Sequence, residues 1–410
     1  MSSWSSQRVG GTLAAILLTA CADPTGSSPA ASGAPSRSQA PAGGQAPASV
    51  EWNGIARDAV ARNRSNVFVA FRTYATVSVA QLEAVRAAEQ GSSHGDKASR
   101  RAAVAAASAV ALCYVYPADC TTFEGFVRDQ VASEGWLERD GIDAVTGEAM
   151  GRAAGAAVVE RAKTDGYFDP WAGTAPTGPG IWFSSTTPPT APTGAALGDA
   201  RTFFLTSGGQ FRPPPPPAFG SPEFTAALSE VRQISDTRTP AQDSIARFWG
   251  MGAGSFTPPG YWNLEASTLA LRYSLNERRA ARLLALLNMV AMDAIIASHE
   301  AKYFYWLIRP SQADPAITLS LPLPNFPAYP SNHATISAAM AEVLAAAFPS
   351  HADRLRAAAD EAALSRVYGG IHYRFDGTAG LTLGRQVARW ALEQGANVRN
   401  PYPVPPGLDQ

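Results

Sequence analysis

The stretch from Ser274 to Arg309 constrains this chain most. Ser274-Leu-Asn-Glu277 has the hydroxyl-to-carboxylate spacing of a capping box. Leu283, Leu284, Leu287, Val290 and Ile295 then make a wide apolar face at helical spacing. The helix should run to about Trp306. It must be over by Arg309-Pro310, because the residue before a proline avoids helical backbone. Other helices are available to pack against it. From Trp52 to about Lys163 the pattern is helical and Ala-rich, with few Gly or Pro in Val77–Glu89 and Ala98–Leu112. Helices resume at Pro222–Ser235 and Pro240–Trp249, while Gly250–Asn263 reads as a Gly/Pro loop. The expected class is all-α. A chain of 410 residues that is 46% hydrophobic can fill a large core, in one large domain or two moderate ones.

Two regions break the helical pattern. Ahead of it, Arg8 and the short apolar run Thr12–Ala20 form an export signal, too short to span a bilayer. The run ends in Leu18-Thr-Ala-Cys21, which looks like a bacterial lipobox, with Cys21 acylated; an ordinary signal peptide cut near Ala20 is the alternative. Residues 1–21 are thus expected to be a signal segment and 22–50 a flexible Ser/Ala/Pro/Gly tether. Residues 51–410 form the body. The protein is expected to be exported and held in the cell envelope by lipid alone. The second break is Asp165–Pro222, dense in Pro, Gly, Ser and Thr. Its recurring aromatics, Tyr167, Trp171, Trp182 and Phe203 among them, mark an ordered excursion wrapped on the helical body. Outside the cytoplasm Cys113 and Cys120 can close a disulfide loop; two buried thiols are the alternative. A net charge of −1 and the lack of a basic run argue against nucleic acid as a partner.

Three short motifs carry chemistry. His372 precedes Asp376 by four residues, a spacing that brings the two together on a helix. The carboxylate then fixes the ring tautomer and leaves the other nitrogen free as nucleophile or metal ligand. Arg366 converges on His372 if Gly369-Gly370 breaks the helix between them. Earlier, Lys302 and Arg309 stand seven apart, two turns on nearly one face, aimed at one anion. Between these, Pro330-Ser-Asn-His333 opens a helix. Ser331 is the N-cap, the first turn offers free N–H groups to an anion, and His333 stands beside them. Taken singly, these are also a solvated His–Asp pair, two cations suited to a helix C-terminus, and a capped helix with an incidental histidine. His299 lies near the Lys302 face as a packing or supporting residue; His94 and His351 read as loop residues.

Together, Lys302-x6-Arg309-Pro310, Pro330-Ser-Asn-His333 and Ser365-Arg366-x5-His372-x3-Asp376 resemble the signature of the type 2 phosphatidic acid phosphatase and vanadium-dependent haloperoxidase superfamily. The motif-bearing core runs from about 274 to 394. Gln210-Phe-Arg-Pro, Arg247-Phe-Trp249 and Gly260-Tyr-Trp-Asn263 resemble the soluble bacterial haloperoxidase-like branch. One position departs: Asn332 stands where the motif usually has glycine. Asn keeps the N–H and tolerates left-handed backbone.

The resemblance implies helical bundles of the haloperoxidase/acid phosphatase type, with the site at helix ends. It implies that Lys302, Arg309 and Arg366 neutralise a tetrahedral oxyanion, and that Ser331 and the Asn332 N–H donate to it. His372, oriented by Asp376, would bind vanadium or attack phosphorus, with His333 as acid–base partner. In a haloperoxidase the cofactor is vanadate, the substrates are hydrogen peroxide and halide, and Lys302 polarises the peroxide. In a phosphatase there is no cofactor, and a phosphate ester is hydrolysed through a phosphohistidine at His372. An envelope lipoprotein that only binds partners is the non-catalytic alternative.

Overall fold

The computed structural model describes residues 45–90, 97–134 and 142–396. Helices dominate. The first five are α1 (Ala48–Arg62), α2 (Val67–Gln90), α3 (Arg100–Val115), α4 (Cys120–Glu134) and α5 (Ala144–Lys163). Two-residue strands β1 (Lys97–Ala98) and β2 (Ile142–Asp143) pair in parallel just before α3 and α5. Then come α6 (Pro222–Thr237), α7 (Pro240–Gly250), α8 (Thr257–Arg272) and α9 (Glu277–Tyr305). The last four are the short α10 (Pro310–Ala313), α11 (Asn332–Ala347), α12 (Ala352–Tyr368) and α13 (Arg374–Ala396). The all-α expectation is met. The signal segment, Cys21, the tether up to residue 44 and His94 lie outside the described residues.

Helix α9 is the core around which the others stand. It is apolar on nearly every side, and a helix of that kind must be buried. By length and composition alone it could cross a membrane, yet 94% of its apolar window is buried in this body. Helices α2, α8, α11 and α13 pack on it. It ends where expected: Tyr305 is its last residue and Trp306, with φ 51°, is a left-handed cap.

Its start differs from the expected capping box. Ser274 has φ 50° and lies outside the helix. Asn276 is the N-cap, accepting from the Arg279 N–H at 3.1 Å. Glu277 is therefore free to reach across the fold. Its carboxylate accepts the N–H groups of Ala48 and Ser49 at 2.5 and 2.9 Å, capping α1 from outside. That contact also shortens the expected tether. Ala46, Ser49 and Val50 are already buried, so the body begins before residue 51.

A second correction concerns Gly250–Asn263, expected as a loop throughout. Helix α8 begins at Thr257, with prolines in its first turn. A proline there forfeits only an N–H that has no helical partner, so it starts a helix rather than blocking one.

The excursion between α5 and α6 is ordered, as its aromatics implied. Trp182 N–H donates to Trp306 C=O at 2.7 Å, and Ile308 N–H to Gly180 C=O at 2.9 Å. Deeper in, the buried Asp293 carboxylate of α9 accepts the N–H groups of Phe203, Phe204 and Leu205 at 2.7, 2.7 and 3.0 Å. The excursion is thus bonded to α9 and to the segment that carries Arg309. Cys113 and Cys120 form a disulfide across the α3–α4 corner.

Candidate active site

Five chain segments meet at one end of α9: its last turn, the chain after it, the start of α11, the α12–α13 corner and the end of α7. Lys302 is in the last turn. Arg309 does not share a helical face with it, because α9 stops at Tyr305 and the chain turns back. The two cations meet all the same over one ring. Lys302 Nζ lies 5.3 Å and the Arg309 guanidinium carbon 5.1 Å from the centroid of Phe326.

His372 and Asp376 also meet by a route other than the expected helix. Gly370, with φ 78°, turns the chain, and α13 starts only at Arg374. His372 sits ahead of the helix and Asp376 in its first turn, where a carboxylate is favoured. Asp376 Oδ2 accepts from His372 Nδ1 at 2.8 Å and from the Tyr373 N–H at 3.0 Å. A carboxylate acceptor puts the ring proton on Nδ1, so Nε2 keeps its lone pair. Arg309 Nη1 lies 3.0 Å from that nitrogen. Burial, then the charges of Arg309 and Lys302, hold His372 well below the usual histidine range, neutral at pH 7. Burial pushes Asp376 up to about 7, opposed by Lys302 and Arg309.

The cations are enclosed and lack ordinary partners. Lys302, Arg309 and Arg366 are buried, and none forms an ion pair among the described residues. Lys302 gives its three donors to the carbonyls of Pro327 at 3.0 Å, Ala328 at 2.8 Å and Pro330. Arg309 bonds the carbonyls of Phe326 at 3.0 Å and Ile371 at 2.7 Å, but its Nη2 is buried without an acceptor. Arg366 bonds Ser365 Oγ at 3.1 Å and the Ala246 carbonyl at 2.8 Å. Burial lowers Lys302 well below its usual value, Arg309 to about 10 and Arg366 to about 9. Asp376 is the one carboxylate acting on Lys302 and Arg309. Three basic groups thus face one carboxylate, and positive charge is in excess. Buried charge of that kind is costly until something neutralises it, and a dianion would.

Ser331 is the N-cap of α11, its Oγ 3.5 Å from the Ala334 N–H, and its own N–H donates to the Asp376 carbonyl at 3.0 Å. The first N–H groups of α11, that of Asn332 included, have no partner within the helix. Asn332 does not need left-handed tolerance, since its φ is not positive. Its side chain turns into α9, against Ser298 and His299. His333 Nε2 lies 3.0 Å from the Trp249 carbonyl and 3.3 Å from Arg366 Nη1. A carbonyl only accepts and a guanidinium only donates, so one Nε2 cannot bond both; the shorter contact, to the carbonyl, puts the proton on Nε2 and leaves Nδ1 as the basic atom. Burial and Arg366 keep this ring neutral too.

All the motif residues named from sequence are therefore brought together. Others were missed. Phe326 lies under two cations without belonging to any motif. The α7 carbonyls of Ala246 and Trp249 hold Arg366 and His333; the one hint was the resemblance of Arg247-Phe-Trp249 to the haloperoxidase-like branch. His299, expected only as a packing or supporting residue, is fully buried and bonded to Asn332. His351 sits in a short turn against Tyr273 Oη at 3.0 Å.

Comparison with known proteins agrees with this assembly. Residues 282–399 match the model of the PAP2 superfamily. The fold is similar to that of the first bacterial vanadium-dependent iodoperoxidase, at 23% identity and TM-score 0.71, over 84% of this chain and 95% of that one. It is also similar to a bacterial vanadium-dependent chloroperoxidase in its holo form, at 14% identity and TM-score 0.61, over 80% and 91%. The apo form of a chloroperoxidase matches at 13% identity and TM-score 0.60, over 82% and 94%. The comparison with curated proteins by sequence returns no match. The resemblance carried by the three motifs is borne out in the 282–399 segment and in the all-α fold of the vanadium haloperoxidases.

Proposed function

We propose that this protein is a vanadium-dependent haloperoxidase that binds vanadate at His372 and uses hydrogen peroxide to oxidise halide. The observation that carries the reading is the buried excess of positive charge around an unprotonated imidazole nitrogen. The residues fit the cofactor. His372 Nε2 would hold vanadium, Arg309 with its free Nη2 and Arg366 would hold oxygens, and the Asn332 N–H would donate to another. Bound vanadate would supply a Lewis-acidic centre that activates peroxide toward halide. The chain's own share is electrostatic: fixed donors where negative charge collects, in a site closed to bulk water. His333, with Nδ1 basic, would take and return a proton. Phe326 sets an aromatic ring against Lys302 and Arg309, an apolar neighbour that suits a halide better than a polar ester.

The second reading is a phosphatase of the same superfamily. Lys302 favours it, because its three donors are already held by carbonyls and none is free to polarise peroxide. In that chemistry His372 Nε2 attacks phosphorus, His333 gives the leaving group a proton that Nδ1 has first taken up, and water then hydrolyses the phosphohistidine, returning a proton to Nδ1. Halide oxidation with vanadate and peroxide, run beside phosphate-ester hydrolysis without vanadate, separates the two. Activity in neither assay sinks both and leaves the non-catalytic lipoprotein.

We further propose export and lipid anchoring through Cys21. Cys21→Ser should abolish lipid labelling and release the protein from membranes; labelling that persists at another residue overturns this.

A further inference from the structure

Ser298, His299, the Asn332 side chain and the Gly194 carbonyl form a buried polar chain with no role so far. Elimination sets its hydrogens. The Gly194 carbonyl only accepts, so His299 Nδ1, 3.0 Å away, carries the ring proton. His299 Nε2 then accepts, and Asn332 Nδ2 donates to it at 3.0 Å. Asn332 Oδ1 is left to accept from Ser298 Oγ at 2.6 Å. Each of these donors faces an acceptor, as a buried network requires. Gly194 admits no side chain. Its φ is 72°, and a Cβ would lie 2.9 Å from both Cε1 and Nδ1 of the histidine. Phe68 and Phe326 hold the ring from two sides, centroids 5.1 and 5.5 Å away.

We infer that Asn332 and His299 are positioning residues for the oxyanion site: the Asn332 amide, gripped from α9, fixes where the first N–H groups of α11 point. The inference rests on the oxyanion reading above. Lys302 holds the carbonyls of Pro327, Ala328 and Pro330, just before Ser331. Ser298 and His299, one turn earlier on α9, hold the side chain just after it. The donor turn is thus gripped on both sides by one rigid helix. With glycine at 332 only the Lys302 grip would remain of the two that α9 supplies. The backbone there does not require glycine, so the amide serves as a handle that glycine lacks. Through Gly194 the same grip reaches the Pro-rich excursion, which ties the order of that segment to the geometry of the anion site.

The test uses the full protein with inorganic phosphate and orthovanadate as probes, reading dissociation constants by calorimetry and thermal midpoints in parallel. Asn332→Gly restores the residue the motif usually has, yet it should weaken both anions roughly 3- to 10-fold, the range set by one lost buried hydrogen bond. His299→Ala should do the same, and the double variant should be no worse than the weaker single one, because both break one grip. Ser298→Ala, which removes only a hydroxyl, takes the place of His299→Ala in the cycle if that variant fails to fold. Asn332→Gly protein that binds as well as or better than wild type overturns the inference, as does a double variant whose losses add. A fall in thermal midpoint with unchanged dissociation constants also overturns it, since that marks a purely structural clamp. Wild-type protein that binds neither anion sinks the oxyanion reading itself, and the inference with it.

Discussion

Two helix seams in this molecule are closed in opposite ways. Where α5 crosses α3, Gly147, Gly151 and Gly155 lie against the backbone of Ser99, Ala103 and Ala107. A Cβ at Gly151 would sit 2.1 Å from the Ala103 carbonyl oxygen. Beyond the Ser99 N–H to Asp143 carbonyl bond at its start, 2.8 Å, that contact is held by fit. Where α9 ends against α11, α12 and α13, the chain buries Lys302, Arg309, Arg366 and His372 instead, with His333 half-buried beside them. That seam is electrostatically incomplete, with an Arg309 Nη2 donor and an Asp376 Oδ1 acceptor unpartnered. The first seam spends its interactions on stability. The second holds charge that a dianion would satisfy, so binding free energy is stored in it as unmet desolvation.

The largest expected effect breaks the second seam at its reactive atom. His372→Ala removes the nitrogen that would hold vanadium or attack phosphorus, while all three cations stay. Turnover should fall by at least about a thousandfold, and phosphate or vanadate affinity by only about tenfold, because the cations still give charge-assisted hydrogen bonds. Asp376→Asn should be milder, roughly 10- to 100-fold in turnover, since it disturbs the ring's orientation and keeps the ring. Rates and dissociation constants measured on both variants check this. Near-normal turnover of either substrate class by the alanine variant would exclude both mechanisms.

The next sharpens the contrast from the other side. Gly151→Ala forces a methyl group against backbone that cannot step aside. It should cost roughly 3 kcal/mol of unfolding free energy, the upper range for overpacking. Anion affinity should stay within about twofold, since the two seams share no partners. Chemical denaturation and calorimetry on one preparation read both. A large loss of affinity would show that the seams are coupled and that the division drawn here is wrong.

The two seams also differ in how far they can be read from sequence. Lys302, Arg309, Ser331, His333, Arg366, His372 and Asp376 are unusual residue types at fixed local spacings, so the site was visible before the fold. What local spacing cannot show is a partner far along the chain. Glu277 caps α1 across 229 residues, and Asn332 meets His299 across 33. The capping box failed because Ser274 and Asn276 are both good caps two residues apart. Only the packing of the α8–α9 turn decides between them. Helix α8 was missed because Pro258-Pro259 looks the same in a loop and in a first helical turn. The lipobox is a compositional reading that contacts in the folded body do not bear on, and they reach the tether only at its far end, where Ala46 is buried.

The smallest expected effect lies at the join between the charged seam and its support. Burial, then Lys302, lowers His299 from about 6.5 to about 3, against a small raising effect of the Gly194 carbonyl. A histidine depressed in the folded state adds stability that is present above its unfolded pKa and lost as pH falls toward its folded pKa. The window is therefore 6.5 down to 3, and the unfolded chain binds the extra proton throughout it. His333 and His372 have the same sign. Asp376, raised to about 7, has the opposite one: its contribution is present below its unfolded pKa and lost as pH rises through 7. On acidification below pH 6.5 the three histidines act to lower stability, against Asp376, Asp293, raised to about 6, and Glu277, also raised by burial. His299→Ala removes one of the three. Whatever its absolute stability, its unfolding free energy should fall by about 1 kcal/mol less than wild type between pH 6.5 and 5.5, the linkage for one histidine over that step. Comparing slopes rather than levels cancels the cost of the missing ring. Parallel slopes would mean that His299 is not held neutral, and that the proton placement from Gly194 to Asn332 is wrong.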